Sequence, residues 1–230
     1  MTSSEMKEAF LIGYDKITNY AGKGYEDNEI QLFLNQAQFR VVKKRLPFFE
    51  LNEIVRKELS TLVNGFSYTT SGSSEIVDIT NDDQNGADLY NQYSKLYEFN
   101  SKILTVISEH AEDASGNKIS VRPITHDELN TLMDNPFRKP NCKRLVRLDL
   151  RVSHGQGSGD KIQHELISSE AFTISKYLVR FVRYPEDIVL GTTDCELPIQ
   201  LHQEIVDEAV LLALENAEST RLTNFSQIKQ

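Results

Sequence analysis

From residue 199 to about residue 221 the chain carries one unbroken amphipathic helical pattern, and its apolar face is too broad to stand in water. Leu201, Ile205, Ala209, Leu212 and Asn216 follow one another at three- and four-residue spacing, with Val206, Val210 and Ala213 widening the stripe. A stripe of this width must be covered, either by other helices of the same chain or by a neighbouring subunit. Pro198 suits the first turn, where no intrahelical donor is needed. The helix therefore demands a partner layer, and the opening quarter of the chain offers one.

Thr2 and Glu5 have capping-box spacing, and a helix is predicted over residues 2–20, with Phe10, Gly13, Ile17 and Tyr20 sharing a face. Residues 21–24, Ala-Gly-Lys-Gly, break it. A stronger pattern spans residues 28–46, where Ile30, Phe33, Leu34, Ala37 and Val41 keep helical spacing until Pro47 ends the run. A third helix is expected over residues 50–63, burying Leu51, Ile54, Val55, Leu59 and Leu62.

At Asn64-Gly65 the character changes to strands and turns. A short strand is expected over residues 75–79, and a hairpin from residues 102–111 and 117–124 joined through Asp113-Ala114-Ser115-Gly116. Thr125 and Glu128 mark the start of a short helix over residues 126–133. Residues 145–152 alternate, with Leu145, Arg147, Asp149 and Arg151 on one face and Val146, Leu148, Leu150 and Val152 on the other. A glycine-rich tip at residues 155–159 precedes a partner strand at 161–167, and residues 172–184 make the longest strand candidate, with Arg180 and Arg183 on opposite faces. The fold class is α+β: N- and C-terminal helices form a helical layer, with a central, mainly antiparallel β region. The expected parts are residues 1–63 (helical), 64–190 (β, with the short helix at 126–133), 191–221 (C-terminal helix packing on the N-terminal ones) and 222–230 (extended tail).

With 230 residues, 39% of them hydrophobic, the chain can bury a real core. A formal net charge of -9 argues against a general nucleic-acid binder, which needs a basic stripe, and suits a surface that nucleic acid slides past. Two cysteines, Cys142 and Cys195, make no disulfide framework, and the reducing cytoplasm is the expected site of synthesis. Neither a secretory signal nor an apolar run of bilayer length is visible, so no membrane partner is expected.

No catalytic constellation stands out. The five histidines, His110, His126, His154, His164 and His202, have no metal-ligand spacing. The stretch His154–Asp160 lacks the Lys-Ser or Lys-Thr of a phosphate loop and is followed by a strand, so a hairpin tip is the better reading. Cys142 lies beside Lys139, Lys143 and Arg144 but has no histidine at a nucleophile's spacing, and the scattered carboxylates read as a solvated surface. No metal, cofactor or enzymatic activity is therefore expected. One basic cluster, Arg138, Lys139, Lys143, Arg144, Arg147 and Arg151, reads either as a solvent face with cross-strand ion pairs or as a patch for an acidic partner, including another copy of this chain. After Arg221 the periodicity ends, and Leu222, Phe225 and Ile228 are candidate docking residues on an extended tail.

Three segments carry a family resemblance: Ile30-Gln31-Leu32-Phe33-Leu34-Asn35-Gln36-Ala37-Gln38, then Arg183-Tyr184-Pro185, then the run from Glu196-Leu197-Pro198 through His202, Ile205 and Val206 to Ala209. In these the chain resembles head-to-tail connector proteins of tailed bacteriophages, the adaptor or gatekeeper rings, including the ring proteins of crAss-like phages. The resemblance implies a virion structural protein of the neck or tail, made in the host bacterial cytoplasm. It implies a closed ring of itself, commonly of twelve copies. That ring would join the portal protein to neighbouring tail or ring proteins and line the exit channel, so that double-stranded DNA passes without specific binding. The region of residues 64–124 and the tip near Gly157 match no pattern of that class. Two other readings remain: a non-viral soluble interaction or scaffold module, and a small hydrolase using scattered carboxylates.

Overall fold

The computed structural model describes residues 1–18, 24–69, 76–80, 89–100, 102–141, 143–152, 161–170 and 172–216. The chain divides into two compact units, one from Met1–Leu62 with Tyr184–Gln230, the other Val63–Arg183. The α+β class is as expected.

The first unit is built on helices α1 (Ser3–Thr18), α2 (Asp27–Arg45) and α5 (Ile199–Asn216), with a short α3 (Glu53–Glu58). At the start of α1 the Thr2 hydroxyl accepts from Glu5 N–H at 3.2 Å and the Glu5 carboxylate accepts from Thr2 N–H at 2.8 Å, the capping box that the spacing predicts. Met6, Phe10 and Tyr14 of α1 and Ile30, Phe33, Leu34, Ala37 and Val41 of α2 are buried. Both helices pack on α5, so the broad C-terminal stripe is covered within its own chain. Leu201, Ile205, Val206, Ala209, Val210, Leu212 and Ala213 are buried there, whereas Asn216 is exposed. Close approach depends on Gly13, where a Cβ would come within 3.2 Å of Val210 Cγ2. Phe10, Tyr14, Tyr25 and Phe33 form an aromatic cluster, and the Tyr25 hydroxyl donates to Ala213 C=O at 2.9 Å. Desolvation pushes the Tyr14 hydroxyl up to about 12, with the neighbouring Tyr25 adding to the shift.

The expected third helix is mostly absent. After Pro47 the chain makes a 3-10 turn, Leu46–Phe48, and α3 begins only at Glu53, where Asn52 Oδ1 accepts from Ile54 N–H at 2.9 Å. Six residues make too few turns to bury a long stripe. Leu59 and Leu62 reach the core through a second 3-10 turn, while Leu51 and Ile54 face solvent, 83% and 67% exposed, and Val55 is half-buried.

The second unit is one strongly curled sheet. Its strands are β1 (Val63–Thr69), β2 (Ile76–Asp78), β3 (Lys95–Phe99), β4 (Ile103–Glu112), β5 (Lys118–Pro123), β6 (Leu145–Val152), β7 (Lys161–Ile167) and β8 (Lys176–Arg183), in the order β1-β8-β4-β5-β6-β7-β3-β2. Every pairing is antiparallel except β5 with β6. A parallel pair needs a crossover, and helix α4 (His126–Asp134), capped by Thr125, supplies it. The β4–β5 hairpin turns at Gly116 (φ 85°), where Asp113 Oδ1 accepts from the Ser115 and Asn117 N–H groups at 2.8 and 2.9 Å.

Tyr68 of β1 lies 5.1 Å, ring to ring, from Tyr97 of β3, although these strands sit toward opposite ends of the sheet order. The sheet therefore wraps around one core, in which Tyr97, Phe99, Tyr177 and Phe181 are fully buried. On the outside of β6 and β7, α4 lays Leu129, Leu132 and Met133 over Val146, Leu148 and Ile167. Strand β8 starts at Lys176 rather than residue 172, because Ser175 caps the ladder through N–H and hydroxyl bonds to Glu112 C=O, each 2.9 Å. Among the described residues the ten-residue β4 is accordingly the longest strand.

Candidate functional site

Three features draw the polar and exposed apolar chemistry together. The first lies in the helical unit, where a strap, residues 184–198, runs over α2. Asn35 pins it from both sides, accepting from Ile188 N–H at 2.7 Å and donating to Ile188 C=O at 3.1 Å. One turn either way, Gln38 donates to Glu186 C=O at 2.9 Å and Gln31 accepts from Leu190 N–H at 3.3 Å. The amides of three helix residues thus stand in for a neighbouring strand. Phe39 stacks on Tyr184 at 5.5 Å. The strap's exit is fixed by Glu196, whose carboxylate accepts from Glu186 N–H at 2.7 Å. His202 closes it: Nε2 lies 2.7 Å from Leu197 C=O, which can only accept, so that nitrogen carries the proton and Nδ1 accepts from the Met1 ammonium at 2.9 Å. Arg45 ties α2 to α5 and α3, its guanidinium 2.6 Å from Glu204 and 2.8 Å from Glu58.

The second feature lies inside the curled sheet. Arg147 and Glu109 are buried and paired, Nη1 to Oε1, at 2.7 Å. Arg147 Nε also lies 2.7 Å from Asp149 Oδ1, an ion pair whose angle falls short of a hydrogen bond. The Tyr177 hydroxyl donates to Glu109 Oε2 at 2.7 Å, so its oxygen accepts from His164 Nδ1–H at 2.9 Å. His164 Nε2, 3.6 Å from Asp149 Oδ1, is left unprotonated. Burial, reinforced by the Arg147 charge, holds His164 well below its ordinary value, in keeping with that neutral tautomer. Burial also raises the Glu109 carboxyl, against the pull of Arg147 and Tyr177, and pushes the Tyr177 hydroxyl well up.

Arg147 therefore leaves the expected surface patch. Its face of β6 points into the sheet interior, whereas Val146 and Leu148 face α4, and the alternation alone does not say which face is inside. Glu109, His164 and Tyr177, on three other strands, had no mark in the sequence beyond alternation.

An acid-stability experiment reads this network. Unfolded, His164 titrates near 6.5. Below that pH the unfolded chain binds a proton that the folded chain refuses, so stability falls from about pH 6.5 downward, by at most ~1.4 kcal/mol per unit. Raised Glu109 has the opposite sign, in a window that opens at 4.5. Urea denaturation of the wild type and His164→Asn at pH 6.5 and 5.5 isolates the histidine, and the variant should lose less stability on acidification. Equal losses would mean that His164 is protonated where it lies.

The third feature is exposed. Between α4 and β6, Asn135 Oδ1 accepts from Phe137 N–H at 3.0 Å, and Asn141 Oδ1 accepts from Lys143 N–H at 2.8 Å. These turns hold Phe137 88% exposed among the exposed Arg138, Lys139 and Lys143, with Arg144 half-buried. Among the described residues none of these four cations has an ion-pair partner. Leu222, Phe225, Ile228, Cys142, the stretch 153–160 and the side chain of Arg151 lie outside the described residues. Cys195 is buried, and desolvation raises its thiol. Among the described residues no helix is long and apolar enough to cross a membrane, and no three His, Cys, Asp or Glu side chains gather as metal ligands.

The family model described as phage tail ring protein 3/4 matches residues 1–224. The chain belongs to the phage tail ring protein 3/4 family. Two relatives from Bacteroides phage crAss001 agree. Ring protein 4/5 is 25% identical over 240 residues, 93% of this chain and 92% of the relative. Ring protein 3 is 32% identical over 112 residues, 43% of this chain and 44% of that relative, so the alignment spans less than half of its length. Both are named for a ring rather than for a reaction. Within this phage tail ring protein, the three segments that carry the resemblance meet in a single place: α2 supplies Gln31, Asn35 and Gln38, Tyr184-Pro185 opens the strap they hold, and Glu196 to Ala209 closes it and starts α5. Those residues hold the fold together. Among the described residues of the second unit, Phe137, beside its flanking cations, is the most exposed large apolar side chain.

Proposed function

We propose that this chain forms a closed ring in the head-to-tail connector of a tailed phage virion. That ring joins the portal protein to the tail or to a further ring and lines the channel through which double-stranded DNA leaves. The observation that carries this reading is the family match across residues 1–224, which takes in most of both compact units. Twelve copies related by rotation give a heterologous interface that closes, and a preformed ring multiplies a weak portal contact by presenting it many times. The net charge of -9 favours a lumen to which DNA does not adhere. Synthesis in the host cytoplasm suits a chain with one buried thiol among its described residues.

The tail is the proposed docking arm, with Leu222, Phe225 and Ile228 as anchors. Ordering such a segment on a partner costs conformational entropy, which repetition around a ring offsets. The test uses purified protein, alone and with its portal, read by light scattering and electron microscopy. Full-length chain should give rings coaxial with the portal. Chain lacking residues 223–230 should keep its circular dichroism but bind portal at least about tenfold more weakly. Persistent monomers that never join a portal would sink the ring reading. Equal docking with and without the tail would remove only the arm.

A further inference from the structure

We propose that the Phe137 loop of one copy docks on the outward face of α1 of the next copy, and that this contact is the heterologous joint of the ring. The inference rests on the ring reading above and adds the two surfaces that meet.

The loop is built for presentation. An aromatic side chain that is 88% exposed has its full apolar area still to bury. Its backbone is already fixed: Arg138 and Lys139 N–H groups both donate to Asn135 C=O at 3.0 Å, and Asn141 and Arg144 exchange backbone bonds of 2.9 and 3.1 Å. Pro140, within the same loop, is buried. Little entropy is therefore lost when the loop binds. Arg138 and Lys139 directly follow Phe137 and Lys143 lies in the next turn, all exposed, so a partner that offers an apolar contact flanked by carboxylates suits this loop. The chain as a whole carries -9, and a second copy supplies that chemistry.

Helix α1 holds the complementary surface. Glu5, Glu8, Ile12 and Asp15 succeed one another at three- and four-residue spacing and share one face. Ile12 is 69% exposed at the centre of that face. Glu8 and Asp15 have no ion pair among the described residues; Lys7, on another side of the helix, is occupied by Asp27 at 2.7 Å, and Lys16, four residues after Ile12 at the border of this face, has its side chain outside the described residues. Three carboxylates about an exposed isoleucine thus face three cations about an exposed phenylalanine. The two surfaces belong to different units of the chain. A joint that pairs them is head-to-tail, the kind that closes into a ring by rotation.

Charge reversal tests the joint. Loop variant R138E/K139E/K143E and helix variant E8K/D15K change exposed or half-exposed residues and leave the Glu5 cap in place. Each alone should associate at least about tenfold more weakly than wild type by light scattering, with unchanged circular dichroism. Phe137→Ser should weaken association in the same direction. A one-to-one mixture of the two charge variants should recover rings, because each reversed loop then meets a reversed helix and each native loop a native helix. Wild-type rings together with failure of that mixture, or rings from either variant alone, would overturn this joint and leave the ring reading standing. Wild type that forms no ring with or without portal overturns the ring reading itself.

Discussion

Replacing Ile205 with aspartate should abolish the helical unit. Ile205 is fully buried on α5, the helix on which both α1 and α2 pack. The substitution removes an apolar side chain from a close-packed site and puts an unpaired carboxylate in its place. Either change alone costs several kcal/mol, and together they reach on the order of 5 kcal/mol or more, comparable to the whole stability of a domain. The expected result is loss of helical circular dichroism at 25 °C or insoluble protein. Ile205→Val should cost only about 1 kcal/mol. Gln200→Asp, on the exposed first turn, should be nearly neutral, since an acid there favours the helix dipole. If Ile205→Asp folds normally, α5 is not held as described, and the covering of its stripe by α1 and α2 is wrong.

The contrast between those two positions is what helical periodicity makes legible. A period of 3.6 residues is counted over many turns, so α2 and α5 declared both their existence and their buried faces. The β4–β5 hairpin was legible for a different reason, because Asp113 and Gly116 fix a turn locally. Where neither device operates, the reading failed. Strand β1 contains Asn64-Gly65, which reads as a break, yet it forms by pairing along its whole length with β8, more than a hundred residues away in sequence. Strand β3, only five residues long, owes its existence to β2 and β7 on its two sides. The third helix failed in the opposite sense: Leu51 and Ile54 kept the spacing of a buried stripe, but Asn52 caps the helix after Leu51 has passed, and no element among the described residues covers them.

The site was less legible than the fold. The family segments pointed to where the chain is most tightly knit, since Asn35 and Gln38 must hydrogen-bond a strap that lies some 150 residues onward. Interaction surfaces carry no such internal constraint, so Phe137 left no periodic trace among its polar neighbours. For the basic cluster, composition identified cations without saying which were already paired. Arg138, Lys139 and Lys143 are exposed; Arg147 is taken up by Glu109.

That pairing gives the second large effect. Arg147→Met keeps the volume of the side chain but leaves the Glu109 carboxylate buried with Tyr177 as its remaining donor. An uncompensated charge in such surroundings costs ~3–5 kcal/mol, and the Glu109 carboxyl should move further up as the opposing pull of Arg147 disappears. The exposed partner Asp149 should contribute little, because water replaces what it loses. Adding Glu109→Gln to Arg147→Met removes the stranded charge while keeping an acceptor for the Tyr177 hydroxyl. The double variant should therefore be more stable than the single one, by about 2 kcal/mol or more. Urea denaturation at pH 7 distinguishes the cases. If the double variant is as unstable as the single one, packing of the arginine stem rather than its charge holds this interior, and the polar network is a passenger in a core fixed by Tyr97, Phe99 and Phe181.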